Sequence, residues 1–302
     1  MRMAAPLVLL GASMSNITTI LRLSLILASG ALAAAGSHHA LAAPPADKVL
    51  LVPHRAVYEL KLAHSRGSRG IEGIRGRILY DFTGSACEGY ELQFRQVSQL
   101  DSGEGKSVLS DLRSTTWEDG EAKKFRFNSE NRLNQRPVDV VDGNAERKAD
   151  AVTVSLSKPS TKSLSIAAGA VFPTEHMRKI IEAARDGKSV LEVVVYDGSE
   201  TGEKIYNTLT VIGQPIKAGE KPPQDAAAKD PAFAKLTRWP VNISYFEQNS
   251  KSRDSGEMTP VYAIGFELYE NGISRALSLD YNDFAISGEM TAIELKTAKA
   301  CP

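Results

Sequence analysis

Apolar and polar residues alternate over most of this chain. Tyr58, Leu60 and Leu62 are separated by Glu59 and Lys61; Tyr90, Leu92 and Phe94 by Glu91 and Gln93; Val152, Val154 and Leu156 by Thr153 and Ser155. A period of two buries one face of a strand and wets the other, the habit of antiparallel sheet. Late in the chain Tyr262, Ile264, Phe266 and Leu268 run up to Asn271-Gly272, and Ile273, Leu277, Leu279 and Tyr281 run back. Asn-Gly between two such runs predicts a hairpin whose turn residues both take positive φ. Asp142-Gly143 and Asp197-Gly198 predict further turns. The pattern as a whole predicts an all-β, mainly antiparallel fold of about twelve to fourteen strands, mostly sequential neighbours in a meander that curls on itself.

The period changes once. Met177, Ile180, Ile181 and Ala184 fall at helical spacing after Pro173-Thr174 and before Gly187. This predicts one helix over 175–185 with Thr174 as its cap, Glu175–Lys179 and Arg178–Glu182 as pairs one turn apart, and Gly187 just past its end. Its Met/Ile stripe would pack on the sheet and plug an open end of it.

The first 42 residues differ from the rest. They hold no acidic residue and only Arg2 and Arg22 as basic ones, with an apolar run from Leu23 to Ala35 and then Ala40-Leu41-Ala42. That is the make-up of a signal peptide at 1–42, cleaved near Ala42/Ala43, with Met14 as an alternative start. The competing reading is an N-terminal membrane anchor; the short apolar run and Pro44-Pro45 favour removal, with no stable membrane insertion afterwards. Loss of Arg2 and Arg22 from 36 basic against 36 acidic residues leaves a formal net charge of about −2. A nearly neutral surface has no electrostatic footprint for nucleic acid.

Export to the periplasm of a Gram-negative bacterium decides how the two cysteines are read. Cys87 and Cys301 form an even count in an oxidising compartment, which predicts a disulfide; two unpaired thiols are the alternative. No His lies at ligand spacing from either, so a zinc site is disfavoured. Residues 216–236, with Pro222-Pro223 and an Ala/Lys/Asp stretch to Lys235, are the only marked composition shift. They predict a flexible surface excursion inside a single domain spanning 43–302, because the paired cysteines flank it.

Candidate chemistry is sparse. His54 and His64 flank the first strand without metal-ligand spacing, and His176 falls on the polar side of the predicted helix with no nucleophile motif to serve. Ser155-Leu-Ser-Lys158 matches S-x-x-K inside an alternating strand and lacks its companion motifs. Gly67, Gly70, Gly73 and Gly76 recur beside Arg66, Arg69, Arg75 and Arg77. An anion-binding loop is one reading; a glycine-rich turn opening a bent strand is the better one. Trp117, Trp239, Tyr245 and Tyr262 are possible ligand contacts, more simply core. No catalytic, cofactor-binding or metal residue is assigned, and the reading is not an enzyme.

The run Gly76-Arg-Ile-Leu-Tyr80-Asp-Phe-Thr-Gly-Ser-Ala-Cys87-Glu-Gly-Tyr90, the helix entry Phe172-Pro-Thr-Glu-His-Met177 and the near-terminal Cys301 resemble the EipB-like family of periplasmic cell-envelope integrity proteins. The resemblance implies an open, barrel-like β-spiral of about fourteen strands with a helix at its core. It also implies a disulfide joining Cys87 and Cys301. On the functional side it implies envelope homeostasis through protein partners, one of them a periplasmic protein of tetratricopeptide-repeat type. It brings no catalytic residue to any position. Three function classes stand in order: a non-enzymatic binder of envelope proteins, a carrier of an apolar or peptide ligand in a curved β interior, and remotely a hydrolase.

Overall fold

The structure is a computed structural model and describes residues 49–66, 70–102, 105–248, 259–298 and 301. The predicted signal peptide at 1–42 lies outside these, as do Gly67 and Arg69. The described strands are β1 (His54–Ser65), β2 (Gly73–Ser85), β3 (Gly89–Asp101), β4 (Ser107–Glu118), β5 (Lys124–Leu133), β6 (Arg136–Arg147), β7 (Ala151–Lys158) and β8 (Lys162–Ala167). A single helix, α1 (Pro173–Arg185), follows, then β9 (Val190–Val195), β10 (Tyr206–Ile212), β11 (Arg238–Glu247), β12 (Tyr262–Tyr269), β13 (Ser274–Asp280) and β14 (Phe284–Leu295). The expected strand number is met at its upper end.

All fourteen belong to one sheet, in the order β8-β7-β6-β5-β4-β3-β2-β1-β14-β13-β12-β11-β10-β9. The chain therefore starts in the middle, meanders out to β8, crosses by α1 to the opposite rim at β9, and meanders back until β14 pairs with β1. Every neighbouring pair is antiparallel, including His54↔Leu295 between the first and last strands. Among the described strands the rims β8 and β9 do not pair with each other; the connection after β8 touches β9 through an isolated parallel bridge, where the Val171 N–H donates to the Val194 carbonyl at 2.8 Å and the Tyr196 N–H to the Val171 carbonyl at 3.0 Å. The sheet is thus an open spiral, bent by native strand twist and by bulges such as those at Val57/Tyr58 and Leu62/His64. The described residues from Val49 onward form one compact unit.

Register carries the alternation around the spiral. Ala56, Tyr58 and Leu60 stand opposite Tyr80, Ile78 and Gly76 of β2 and opposite Ile293, Met290 and Gly288 of β14, so one face is apolar throughout. Arg55, Glu59, Arg77 and Arg95 take the other face. Gly76 sits where β2 and β3 approach closely: a Cβ there would lie 2.4 Å from the Val97 carbonyl oxygen. Around α1, Ile180, Ile181 and Ala184 pack with Trp239, Val241, Ile243 and Leu268. A second cluster joins Tyr58, Leu60, Tyr269, Ile273 and Met290, and a third joins Phe125, Phe127, Val154, Phe172 and Tyr196.

Two local expectations need correction. Asp142-Gly143 is not a turn but lies inside β6 at a register shift, where Gly143 makes room for the Phe127 ring. In the turn of the late hairpin, between β12 and β13, only Gly272 has positive φ, 89°; the Gly272 N–H donates to the Tyr269 carbonyl and the Tyr269 N–H to the Ile273 carbonyl. That is a longer loop than the two-residue turn expected, with Gly272 alone in the left-handed region. The excursion at 216–236 is held to the sheet at several points. Two 3-10 turns, Ala227–Lys229 and Pro231–Phe233, bury Ala228 and Phe233, and Phe233 meets the Tyr269 ring at 4.8 Å. Asp225 is buried too, its carboxylate accepting the Met290 N–H at 3.0 Å and pairing with Arg275. Arg275 and Arg238 each reach Glu267 at 2.5 Å, and Arg238 also donates to the Lys221 carbonyl at 2.5 Å.

Candidate functional site

Helix α1 crosses between the rims, and its docking is the most specific polar arrangement of the fold. The helix begins at Pro173, a position that needs no N–H donor, with Phe172 in the N-cap place and no side-chain cap of its own. Thr174 is therefore not the cap. The first free N–H groups are taken by a carboxylate from another element: Glu118, the last residue of β4, accepts from Thr174 N at 2.7 Å and from Glu175 N at 2.8 Å. A carboxylate there satisfies orphan donors and complements the positive end of the helix dipole. Glu118 is 1% exposed, and burial pushes its carboxyl up to about 7 against the opposing pull of the two N–H donors and Arg178.

Neighbouring groups lock the same end. Arg147 of β6 reaches Glu175 at 2.6 Å, Lys179 pairs with Glu175 at 3.8 Å, and Arg178 donates to the Gly120 carbonyl at 2.9 Å. Gly120 is in turn pressed against the turn after β2: a Cβ on it would lie 1.7 Å from the Ala86 carbonyl oxygen. That turn carries Cys87, which is bonded to Cys301 with Cα atoms 5.7 Å apart. Gly187 closes the helix as expected, at φ 73°.

His176 departs from expectation. It is 4% exposed rather than on a polar face, its Nε2 has no hydrogen-bond partner among the described residues, and burial lowers its pKa to about 4. The unfolded chain takes up this proton near 6.5 and the folded chain only near 4. Its contribution to stability is therefore whole above 6.5 and is lost as pH falls toward 4, by about 3 kcal/mol. Glu118 works in the opposite direction, losing stability as pH rises from 4.5 toward 7. The two overlap in the wild-type profile, so the difference between wild type and His176→Gln isolates the histidine. Urea unfolding at pH 7.5 and pH 4.5 is expected to show the variant gaining on wild type at the lower pH; a pH-independent difference rules this account out.

Apart from Tyr245 and Tyr262, whose rings stack at 4.5 Å, the remaining singled-out residues do not converge. His54 opens β1, buried beside Tyr80 with ring centroids 5.4 Å apart, and burial lowers its pKa. His64 lies exposed near the other end of the same strand. Ser155 is exposed on β7. Arg66, Arg75 and Arg77 are paired with Asp280, Asp101 and Glu59, so the described arginines of the glycine-rich stretch serve strand-to-strand ion pairs. Trp239 and Tyr245 are buried, and Arg126 covers the Trp117 ring at 4.2 Å. Among the described residues no group of three or more His, Cys, Asp or Glu could hold a metal ion, and no helix is long and apolar enough to cross a membrane. Sequence reasoning missed Glu118 and Asp225, because each acts on a partner more than fifty residues away.

Comparison with known proteins bears on the whole chain. The family model described as EipB-like matches residues 45–297. The cell envelope integrity protein EipB of Brucella abortus is 37% identical over 268 residues, covering 89% of this chain and 92% of that one. A crystal structure from Brucella abortus, described as a β-barrel-like protein of a domain of unknown function, aligns with a TM-score of 0.74 at 35% identity. It covers 82% of this chain and 100% of that chain.

Proposed function

The chain belongs to the EipB-like family, and on that premise we propose that it is a non-enzymatic periplasmic protein supporting cell-envelope integrity by binding another envelope protein, one of tetratricopeptide-repeat type. The carrying observation is kinship along nearly the full length with a cell envelope integrity protein, which supports the envelope role itself. Binding as the means is our reading, and it draws support from the open sheet. An unclosed spiral has two rim strands, β8 and β9, and rim strands present backbone groups to which a partner segment can add. At the β9 rim, Val190 and its register partner Val211 are 50% and 49% exposed. A second reading, a carrier of an apolar or peptide ligand, is favoured by the partly exposed Tyr80, Leu92, Tyr262 and Ile264 along the apolar wall.

Deletion of the gene is expected to sensitise cells to detergents and wall-targeting antibiotics. The mature chain used as bait in periplasmic extract is expected to retain a helical-repeat protein, and Val190→Glu/Val211→Glu is expected to weaken that capture. An intact envelope after deletion defeats the envelope role. A stoichiometric lipid co-purifying in place of any specific protein transfers the case to the carrier.

A further inference from the structure

The loop from Tyr196 to Ile205, between β9 and β10, carries two carboxylates into a ring of tyrosines. It is rigidly seated. Gly198, at φ 69°, lies against the Phe127 ring, Gly202 lies against Leu156 and Val141, and the Tyr196 hydroxyl donates to the Gly202 carbonyl at 2.7 Å. Beside it Tyr206, Tyr245 and Tyr262 come from the adjacent strands β10, β11 and β12. The Tyr206 ring stands edge-on to Tyr245 and Tyr262 at 5.8 and 5.9 Å, and Tyr245 and Tyr262 stack at 4.5 Å. The Tyr206 hydroxyl donates to Glu200 at 2.9 Å and lies 3.4 Å from the Ser199 hydroxyl, while the Ser199 N–H donates to Asp197 at 2.9 Å.

The charge balance of this cluster is one-sided. Lys204 faces Glu200 at 3.9 Å and pairs more closely with Glu247. Asp197, half-buried, has no cation paired with it among the described residues, and burial raises its pKa. Burial and then the charge of Asp197 raise the pKa of all three phenols, so the hydroxyls stay neutral. Tyr245 is the telling member. It is 9% exposed, feels Asp197, and its hydroxyl has no hydrogen-bond partner among the described residues.

We propose that Asp197 and Glu200, with the rings and hydroxyls of Tyr206, Tyr245 and Tyr262, form a binding site for an organic cation carrying an ammonium or guanidinium head. Aromatic faces attract such a head through the ring quadrupole, most strongly where water is excluded. The carboxylates supply the counter-charge, and the Tyr245 hydroxyl supplies an acceptor for one of its N–H groups. A hard divalent ion is poorly served, since it asks for six or more oxygen ligands and the cluster offers two carboxylates. The inference stands apart from the protein-partner reading, because it is tested with small molecules alone.

The test is calorimetric titration of the mature chain with n-butylammonium, n-butylguanidinium and N-acetyl-lysine amide, with n-butanol as the neutral counterpart and calcium as the inorganic one. Saturable binding of a cation at least ten-fold tighter than n-butanol is expected; the tightest probe tells a free amine from a peptide side chain. Asp197→Asn keeps the acceptor for the Ser199 N–H and is expected to weaken binding at least ten-fold. Tyr245→Phe, which removes a hydroxyl that bonds to none of the described residues, is expected to weaken it several-fold at unchanged melting temperature. Cations binding no better than n-butanol, calcium binding in their place, or undiminished binding by both variants would each overturn the assignment.

Discussion

Replacing Cys87 or Cys301 with serine is expected to lower the melting temperature by about 10 °C, and by the same amount for either residue. The two cysteines are 214 residues apart in sequence, so their bond constrains nearly the whole unfolded chain. In the chain-entropy picture a loop of this length is worth about 5 kcal/mol, and native bonds removed from small exported domains cost about 2 to 5. A domain of this size loses about 2 to 4 °C per kcal/mol. The bond also acts locally: it holds the turn whose Ala86 carbonyl abuts Gly120, and Gly120 receives Arg178 of the helix. Thermal melts of wild type, both single variants and the double variant, all without reductant, decide the matter. A shift below about 2 °C, or unequal single variants, would show that the bond constrains something other than this loop.

The second large effect is expected at Asp225. Truncation to alanine removes the carboxylate that pairs with Arg275 and accepts the Met290 N–H, in a place where both charged side chains are nearly inaccessible. Breaking a buried pair from one side leaves an uncompensated charge, at a cost of about 3 to 5 kcal/mol. Glu267 still holds Arg275, which argues for the lower end. Asp225→Ala/Arg275→Met, which removes both charges, is expected to recover much of the loss. Urea unfolding of the three proteins measures this, and new protease cleavage within 216–236 in Asp225→Ala would locate the damage. A double variant no better than the single one would mean that Asp225 matters for its bond to Met290 and not for its charge.

What could be read in the sequence follows from how far each signal travels along the chain. Alternation is local, so β1, β3 and β7 were legible from Tyr58, Tyr90 and Val152 onward, and the Ile180/Ile181 stripe marked the one helix. Turn chemistry was half legible. Asn271-Gly272 did mark a hairpin, while Asp142-Gly143 answered to a packing demand from Phe127 that only the neighbouring strand reveals. The cap of α1 was out of reach, because Glu118 precedes it by more than fifty residues and nothing in Trp117-Glu118 announces the role. The excursion at 216–236 looked unstructured by composition, yet one carboxylate and one phenylalanine tie it to the sheet. Tyr245 and Tyr262 stood out as possible ligand contacts, but their meeting with Tyr206 and the Asp197 loop did not, for the same reason: the members lie on three strands and a loop, and only the register Thr208↔Tyr245↔Tyr262 brings them side by side.

The pairing of β1 with β14 sets an order of events for the newborn chain. Synthesis delivers β1 first, and β2 can zip to one of its edges almost at once, but the other edge waits for the last strand of the domain. Until then the growing meander carries a long strand, apolar on one face, with a bare row of donors and acceptors, the kind of edge that recruits foreign strands. Contacts so distant in sequence also form slowly, since the chain must surrender most of its freedom before they reward it. The spiral is thus most vulnerable to misassembly just before it is complete, and its last strand acts as the latch that ends that interval.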